Sequence, residues 1–309
     1  MKHLPTAIAL SAAALCGSAF ADTGKLLLTG GVSSIDGAAG GGLTPWATIG
    51  TNATEGEMGI SAHVSRAAVT DYQLTTMGVT VAFDDRVELS FAQQDFNASP
   101  VTALNGILGT SVQNGQRIKM DVLGVKVKVA GDAVLNSDTW MPQIAVGVEQ
   151  KSVDAGSIKP VLDFLGAKTS GTDFYVSATK LFLANSLLVN GTLRYTNANQ
   201  NGLVGFGSKD PGTNSASWVP EVSVAYLLSK NVAIGAEYRA KPNNLRALGA
   251  SAGLGQGLQE DAWKDLFIAW APNKHTSVTL AYLDLGRILP GVTSSRNQSG
   301  YYLSAQFAF

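Results

Sequence analysis

Cysteine occurs once in the 309 residues, at Cys16, and histidine three times, at His3, His63 and His275. Beyond residue 16 the chain can therefore hold neither a disulfide nor a thiolate metal site. Charge is scarce too, at 15% of residues, with 22 Lys+Arg against 23 Asp+Glu. A near-neutral chain with no basic stripe and no interleaved aromatics excludes nucleic acid as a partner. HExxH, CxxC, P-loop and EF-hand patterns are missing, and Gly253, Gly255 and Gly257 lack the GxGxxG spacing, so no metal or cofactor is expected. After residue 21 no stretch approaches the roughly 18–20 apolar residues of a membrane-spanning helix. Yet 45% of residues are hydrophobic and mean hydropathy is +0.13. Entry into a bilayer would thus have to use strands, and in hydrocarbon only a closed barrel pairs every backbone group.

The first residues read as a secretory signal peptide. Lys2 and His3 give a short basic start, Ala7 to Cys16 an apolar run, and Ala19-Phe20-Ala21 a small-residue cleavage site before Asp22. A lipoprotein site at Cys16 is disfavoured by the large Leu15 before it. Residues 22–309 carry no linker or low-complexity break and read as one barrel domain.

From residue 57 onward the dominant pattern is alternation. Val79, Val81 and Phe83 turn through Asp84-Asp85-Arg86 into Val87, Leu89 and Phe91, with Glu88, Ser90, Ala92 and Gln94 on the opposite face. Leu187, Val189, Leu193 and Tyr195 alternate with Asn190, Thr192, Arg194 and Thr196. Val222, Val224 and Tyr226 turn through residues 229–231 into Val232, Ile234 and Tyr238; with Leu228 opposite Val232, Glu221 meets Arg239 as an inward charge pair. Tight turns near 84–86, 184–185, 229–231 and 272–275 alternate with long loops near 96–116, 154–171, 197–217, 241–261 and 286–298. That asymmetry is expected of an up-and-down transmembrane antiparallel β-barrel, with the long loops outside. Aromatics at strand ends, Phe174, Tyr195, Trp218, Tyr238 and Tyr301 at one rim and Phe83, Phe182, Trp270, Phe307 and Phe309 at the other, suit two girdles.

Twelve strands lie beyond residue 57. Two weaker segments, Leu26 to Val32 and Thr44 to Gly50, bring the expected count to fourteen; the alternative is twelve strands with residues 22–52 folded into the lumen as a plug, a reading kept open by Pro45 and the Gly40-Gly41-Gly42 run. The last strand, Tyr301, Leu303, Ala305, Phe307 and Phe309 on one face, resembles the C-terminal signal strand of bacterial outer-membrane barrels, which implies that Tyr301, Phe307 and Phe309 are read by the barrel-assembly machinery. The segment LLLTGGVSSIDGAAGGGLTPWATIG, Leu26 to Gly50, with Gly59 to Asn97, resembles a proteobacterial family of predicted outer-membrane barrels catalogued as a domain of unknown function. The resemblance implies a Gram-negative outer-membrane location among lipid and lipopolysaccharide, and carries no catalytic or binding residues.

Chemistry is thin. His63 faces inward beside Ser61 and Ser65, but residues at i and i+2 of a strand lie about 7 Å apart and no acid stands by to orient the ring, so no catalytic residue is expected and the protein is read as a non-enzyme. A bulge near Leu123-Gly124 would put Arg117, Lys119, Lys126 and Lys128 on one basic lumen wall, facing Glu221, Glu237 and Asp265, a split that orients solutes in some pores. Ser223 and Asn190 are expected to face lumen water. In the outer loops Val101, Leu104 and Leu108, then Ile158, Val161, Leu162 and Leu165, then Leu245, Leu248, Leu254 and Leu258 form apolar stripes that should fold over or into the mouth. The expected function is a passive channel or transporter for a small apolar or amphipathic solute; the alternatives are a non-conducting structural, adhesive or envelope-maintenance barrel and, more distantly, a lumen or rim enzyme.

Overall fold

A computed structural model describes residues 25–99, 105, 115–133, 140–210, 212, 214–291 and 295–309. The signal-peptide segment and the Val101, Leu104 and Leu108 stripe lie outside the described residues. Two short strands, β1 (Val32–Ser33) and β2 (Ala39–Gly40), pair with each other and not with the barrel, and Gly40 also bridges Pro45. Twelve longer ones close into a barrel: β3 (Met58–Val69), β4 (Gln73–Phe83), β5 (Val87–Asn97), β6 (Arg117–Ala130), β7 (Gln143–Asp154), β8 (Ser170–Phe182), β9 (Leu187–Thr196), β10 (Ser217–Ser229), β11 (Val232–Arg239), β12 (Trp263–Asn273), β13 (Thr276–Asp284) and β14 (Ser299–Ala308). Each pairs antiparallel with its sequence neighbours, and β14 pairs with β3 to close the ring. The backbone of Phe309 completes the seam by exchanging hydrogen bonds of 2.7 Å with Ile60 in both directions.

The outward positions form an apolar belt. Val222, Val224 and Tyr226 on β10, Leu266, Ile268 and Trp270 on β12, and Leu303 and Phe307 on β14 are all exposed. A continuous belt of this kind is untenable in water and is what a bilayer solvates. Phe174, Tyr195 and Trp218 stand in one cross-strand row, Tyr195 and Trp218 with ring centroids 5.1 Å apart. Tyr282 and Tyr301 pair edge to face at 5.8 Å in the same rim, and His275 stacks on Phe309 at the other. The five long loops share the first of these ends with the short β3–β4 connection.

Residues 26–32 and 44–50 do not cross the membrane, so the barrel has twelve strands and not fourteen. They belong to a segment packed inside the lumen, where nearly every residue from 32 to 51 is buried. Glycine makes that passage possible: a Cβ on Gly41 would run into the Glu237 carboxylate, and Gly37, at φ +94°, presses against Ala92. Two short helices, α1 (Lys159–Leu165) and α2 (Arg246–Ser251), lie in the outer loops. Pro160 starts α1, and Gly166 at φ +70° stops it.

Candidate functional site

The lumen-filling segment is held by the wall around it. Glu88 on β5 accepts the N–H groups of Ala39 (3.0 Å) and Gly50 (2.7 Å), and Lys126 on β6 pairs with Glu88 at 3.0 Å while donating to the carbonyls of Ala39 and Trp46. Opposite, Glu237 on β11 accepts the N–H groups of Leu43 (2.7 Å) and Thr44 (3.3 Å) and the Thr44 hydroxyl (2.6 Å). Gln143 donates to the Ala47 carbonyl, Thr192 to that of Pro45, and Gln306 accepts from Ser33. Ser223 and Asn190 bond this segment as well, so they face it and not lumen water. At the inner rim Lys25 pairs with Asp85 at 2.6 Å.

A buried charge cluster crosses the barrel above this floor. Asp36, at the tip of the plug, takes Arg239 at 2.9 Å and Lys151 at 3.5 Å. Lys151 also pairs with Asp173 (3.0 Å) and Glu149 (3.4 Å), and Arg194 bridges Glu149 (2.7 Å) to Glu221 (2.6 Å). Three cations thus meet four carboxylates with almost no exposure, an arrangement in which each charge depends on its partners. Asn201 joins the cluster from the loop above, accepting from Arg239 (2.7 Å) and Lys151 (2.9 Å) and donating to Asp36 (2.8 Å).

That loop reaches down in a left-handed turn, Gln200 at φ 46° and Asn201 at φ 62°, conformations costly to non-glycine residues unless the surroundings enforce them. Glu260 accepts the Gln200 N–H at 2.9 Å, and Lys241 donates to Gln200 Oε1 at 2.6 Å while lying 4.6 Å from the Trp263 ring centroid. Lys241 and Glu260 are themselves 3.6 Å apart and buried. Burial, outweighing the partner charge, pushes the Glu260 carboxyl up to about 7 and pulls the Lys241 ammonium down to about 8.

Between this turn, the plug and the outer loops lies an apolar cavity of about 490 Å³. Ile35 and Leu43 of the plug, Leu162 and Leu165 of α1, and Leu248 of α2 contribute to its walls, and Gln200, Trp263 and Asp265 line its deeper part. Ile158, Val161, Leu162 and Leu165 are all buried in the same cluster as Leu245 and Leu258, with Leu248 and Leu254 packed against it. At the rim Lys209 sits 4.0 Å from the centroid of the exposed Phe164 ring.

The basic wall is not assembled. The β5–β6 and β6–β7 registers run unbroken through Leu123-Gly124 and shift only between Lys128 and Ala130. Ile118, Met120 and Val122 therefore face inward, against the loop residues Leu162 and Phe206. Arg117 and Lys119 face outward, Arg117 bound to Asp95 at 2.6 Å. Lys126 faces inward but is spent on Glu88 and the plug, and Lys128 bridges Asp85 (2.8 Å) and Asp132 (3.3 Å) at the inner rim. Glu221 does stand opposite Arg239, 3.3 Å from its Nε. His63 faces inward with both ring nitrogens lacking a hydrogen-bond partner among the described residues. Sequence reasoning missed Gln200, Asn201, Lys151, Glu149, Asp173 and Asp36, and with them Lys241, Glu260 and Trp263; inward parity on β7 and β8 was the signal that could have found Lys151, Glu149 and Asp173.

A family model described as "Protein of unknown function (DUF3034)" matches residues 29–306. No curated protein sequence matches the chain. Among solved structures, the KdgM porin in complex with disordered oligogalacturonate is similar at 10% identity, with 81% of this chain and 99% of that one covered and a TM-score of 0.48. Omp33 of Acinetobacter baumannii is similar at 8% identity, covering 82% and 97% with a TM-score of 0.40. The outer membrane phospholipase A of Escherichia coli is similar at 10% identity, covering 81% and 92% with a TM-score of 0.40.

Proposed function

The chain belongs to the DUF3034 family, and from that premise we propose that it is an outer-membrane transport barrel that takes a small apolar or amphipathic solute into its outer vestibule, with its own N-terminal segment closing the lumen at rest. The observation that carries this reading is the apolar cavity of about 490 Å³, enclosed jointly by the outer loops and the plug. Its size falls within the range of small-molecule sites, and its walls are apolar as such sites usually are. A barrel that served only as a scaffold would have no need to keep such a space between plug and loops. The tightly bonded plug argues against a standing water-filled pore, so the solute is selected before passage, and the outward belt would meet lipid and lipopolysaccharide. No catalytic group enters this reading.

The lipopolysaccharide leaflet slows apolar molecules, so the test uses intact cells. Uptake of an apolar fluorescent dye should rise when the protein is expressed and return to the empty-vector rate in Ala252→Trp, which fills the cavity from the rim. An unchanged rate with folded wild-type protein present in the outer membrane would overturn the proposal.

A further inference from the structure

Three residues at the deep end of the vestibule each keep a buried polar atom with no hydrogen-bond partner among the described residues: Gln200 Nε2, Trp263 Nε1 and Asp265 Oδ1. Their residues are only 3%, 4% and 6% exposed. A buried polar atom without a partner forfeits the hydrogen bond it makes with water in the unfolded chain, and three in the wall of one largely apolar cavity point to a ligand that supplies what is missing.

The chemistry of the missing partner is set by the donors and acceptors themselves. Lys241 can only donate, so the Gln200 atom it touches at 2.6 Å must be the amide oxygen, which fixes Nε2 as the free end and as a donor. Trp263 Nε1 can only donate. Asp265 Oδ1 accepts whether or not the other carboxyl oxygen carries a proton. Glu237, opposite Asp265 in register, is engaged by Leu43, Thr44 and Ser223 and also meets the Asp265 carboxyl, yet Asp265 Oδ1 has no hydrogen-bond partner among the described residues. Lys241, against both the Gln200 amide and the Trp263 ring, brings these two side chains to the same end of the cavity. Trp263 and Asp265 are two residues apart on β12 and share its inward face.

We infer that the vestibule binds an amphipathic molecule whose apolar body lies among the loop leucines and whose neutral polar end, a hydroxyl in its simplest form, both donates to Asp265 and accepts from Gln200 and Trp263. A hydroxyl has one donor and two acceptor lone pairs, which matches the three free atoms. An ammonium end would leave both N–H donors facing a cation, and a carboxylate end would offer Asp265 no proton. This assignment rests on the proposed vestibule and adds the recognition of its occupant.

Binding of decanol, decyl methyl ether, decane, decylamine and decanoate to the full chain in lipid nanodiscs, with empty nanodiscs subtracted, tests it. Decanol should bind most tightly. Trp263→Phe and Asp265→Asn, each checked for folding by its heat-modifiable gel shift, should weaken decanol by roughly three- to tenfold and leave decane unchanged. Equal affinity for decanol and decane, tighter binding of the amine or carboxylate, or variants that weaken decane and decanol alike would overturn the head-group assignment with the vestibule intact. Binding of none of the five would instead sink the vestibule itself.

Discussion

Glu260 is the residue whose protonation governs how firmly the outer turn is seated. Its carboxyl stands near 7 in the folded protein against 4.5 ordinarily, because it is buried and its contacts with Lys241 and Gln200 only partly compensate. A folded-state value raised above the unfolded one contributes stability that is complete below about 4.5 and is lost as pH rises through about 7. Lys241, held near 8 by the same burial, stays charged in folded and unfolded forms across that window and does not offset the change. Hydrogen-exchange protection factors for residues 197–206 should therefore fall between pH 5 and pH 7 in wild type and stay flat in Glu260→Gln. Parallel pH profiles in both proteins would show that another group seats the turn. This site was poorly legible in the sequence, and the reason is physical. Gln200 and Asn201 sit in a polar, glycine-flanked run that reads as solvated loop, and only the long-range contacts to Glu260, Arg239 and Asp36 turn it inward.

At the scale of elements, the strands were legible, and the plug was legible only as the alternative to two further strands. A strand between two media must alternate, and β5, β9, β10 and β14 alternate as their sequences suggest. Residues 26–32 and 44–50 carry a similar short apolar pattern, but the backbone groups of Thr44, Trp46, Ala47 and Gly50 are met by Glu237, Lys126, Gln143 and Glu88, side chains that sequence alone places against water. The β6 parity fails for a related reason: the apolar outer loops supply the upper lumen with an apolar lining, so Ile118, Met120 and Val122 can face in and Arg117 and Lys119 face out. If the plug is the closure, deleting residues 25–52 should convert a protein nearly silent in planar bilayers into a steady conductor. Glu237→Gln, which weakens the grip on Leu43 and Thr44 without removing the segment, should give brief openings. A wild type that conducts as well as the deletion would show that ions pass beside the plug.

For the whole molecule, lumen and exterior exchange the roles they have in a soluble protein. The polar and charged contacts are concentrated inside, around Asp36, Lys151, Arg194 and Arg239, while large apolar side chains cover the outside. Only a solvent as apolar as a lipid chain makes that inversion stable. A charge placed on the belt should then be penalised according to its depth. Val224 faces outward, six residues along β10 from Trp218 in the aromatic row, whereas Thr172 faces outward beyond Phe174 in that same row. Val224→Arg should cost about 2–4 kcal/mol and Thr172→Arg about 0–1 kcal/mol in a reversible refolding titration into lipid. Ser223→Arg should be as damaging as the first despite facing inward, because its hydroxyl holds Trp46 and Glu237 and no water-filled space is there to receive the new side chain. Equal, small costs at all three positions would mean that neither the belt nor the filled lumen is where the structure puts it.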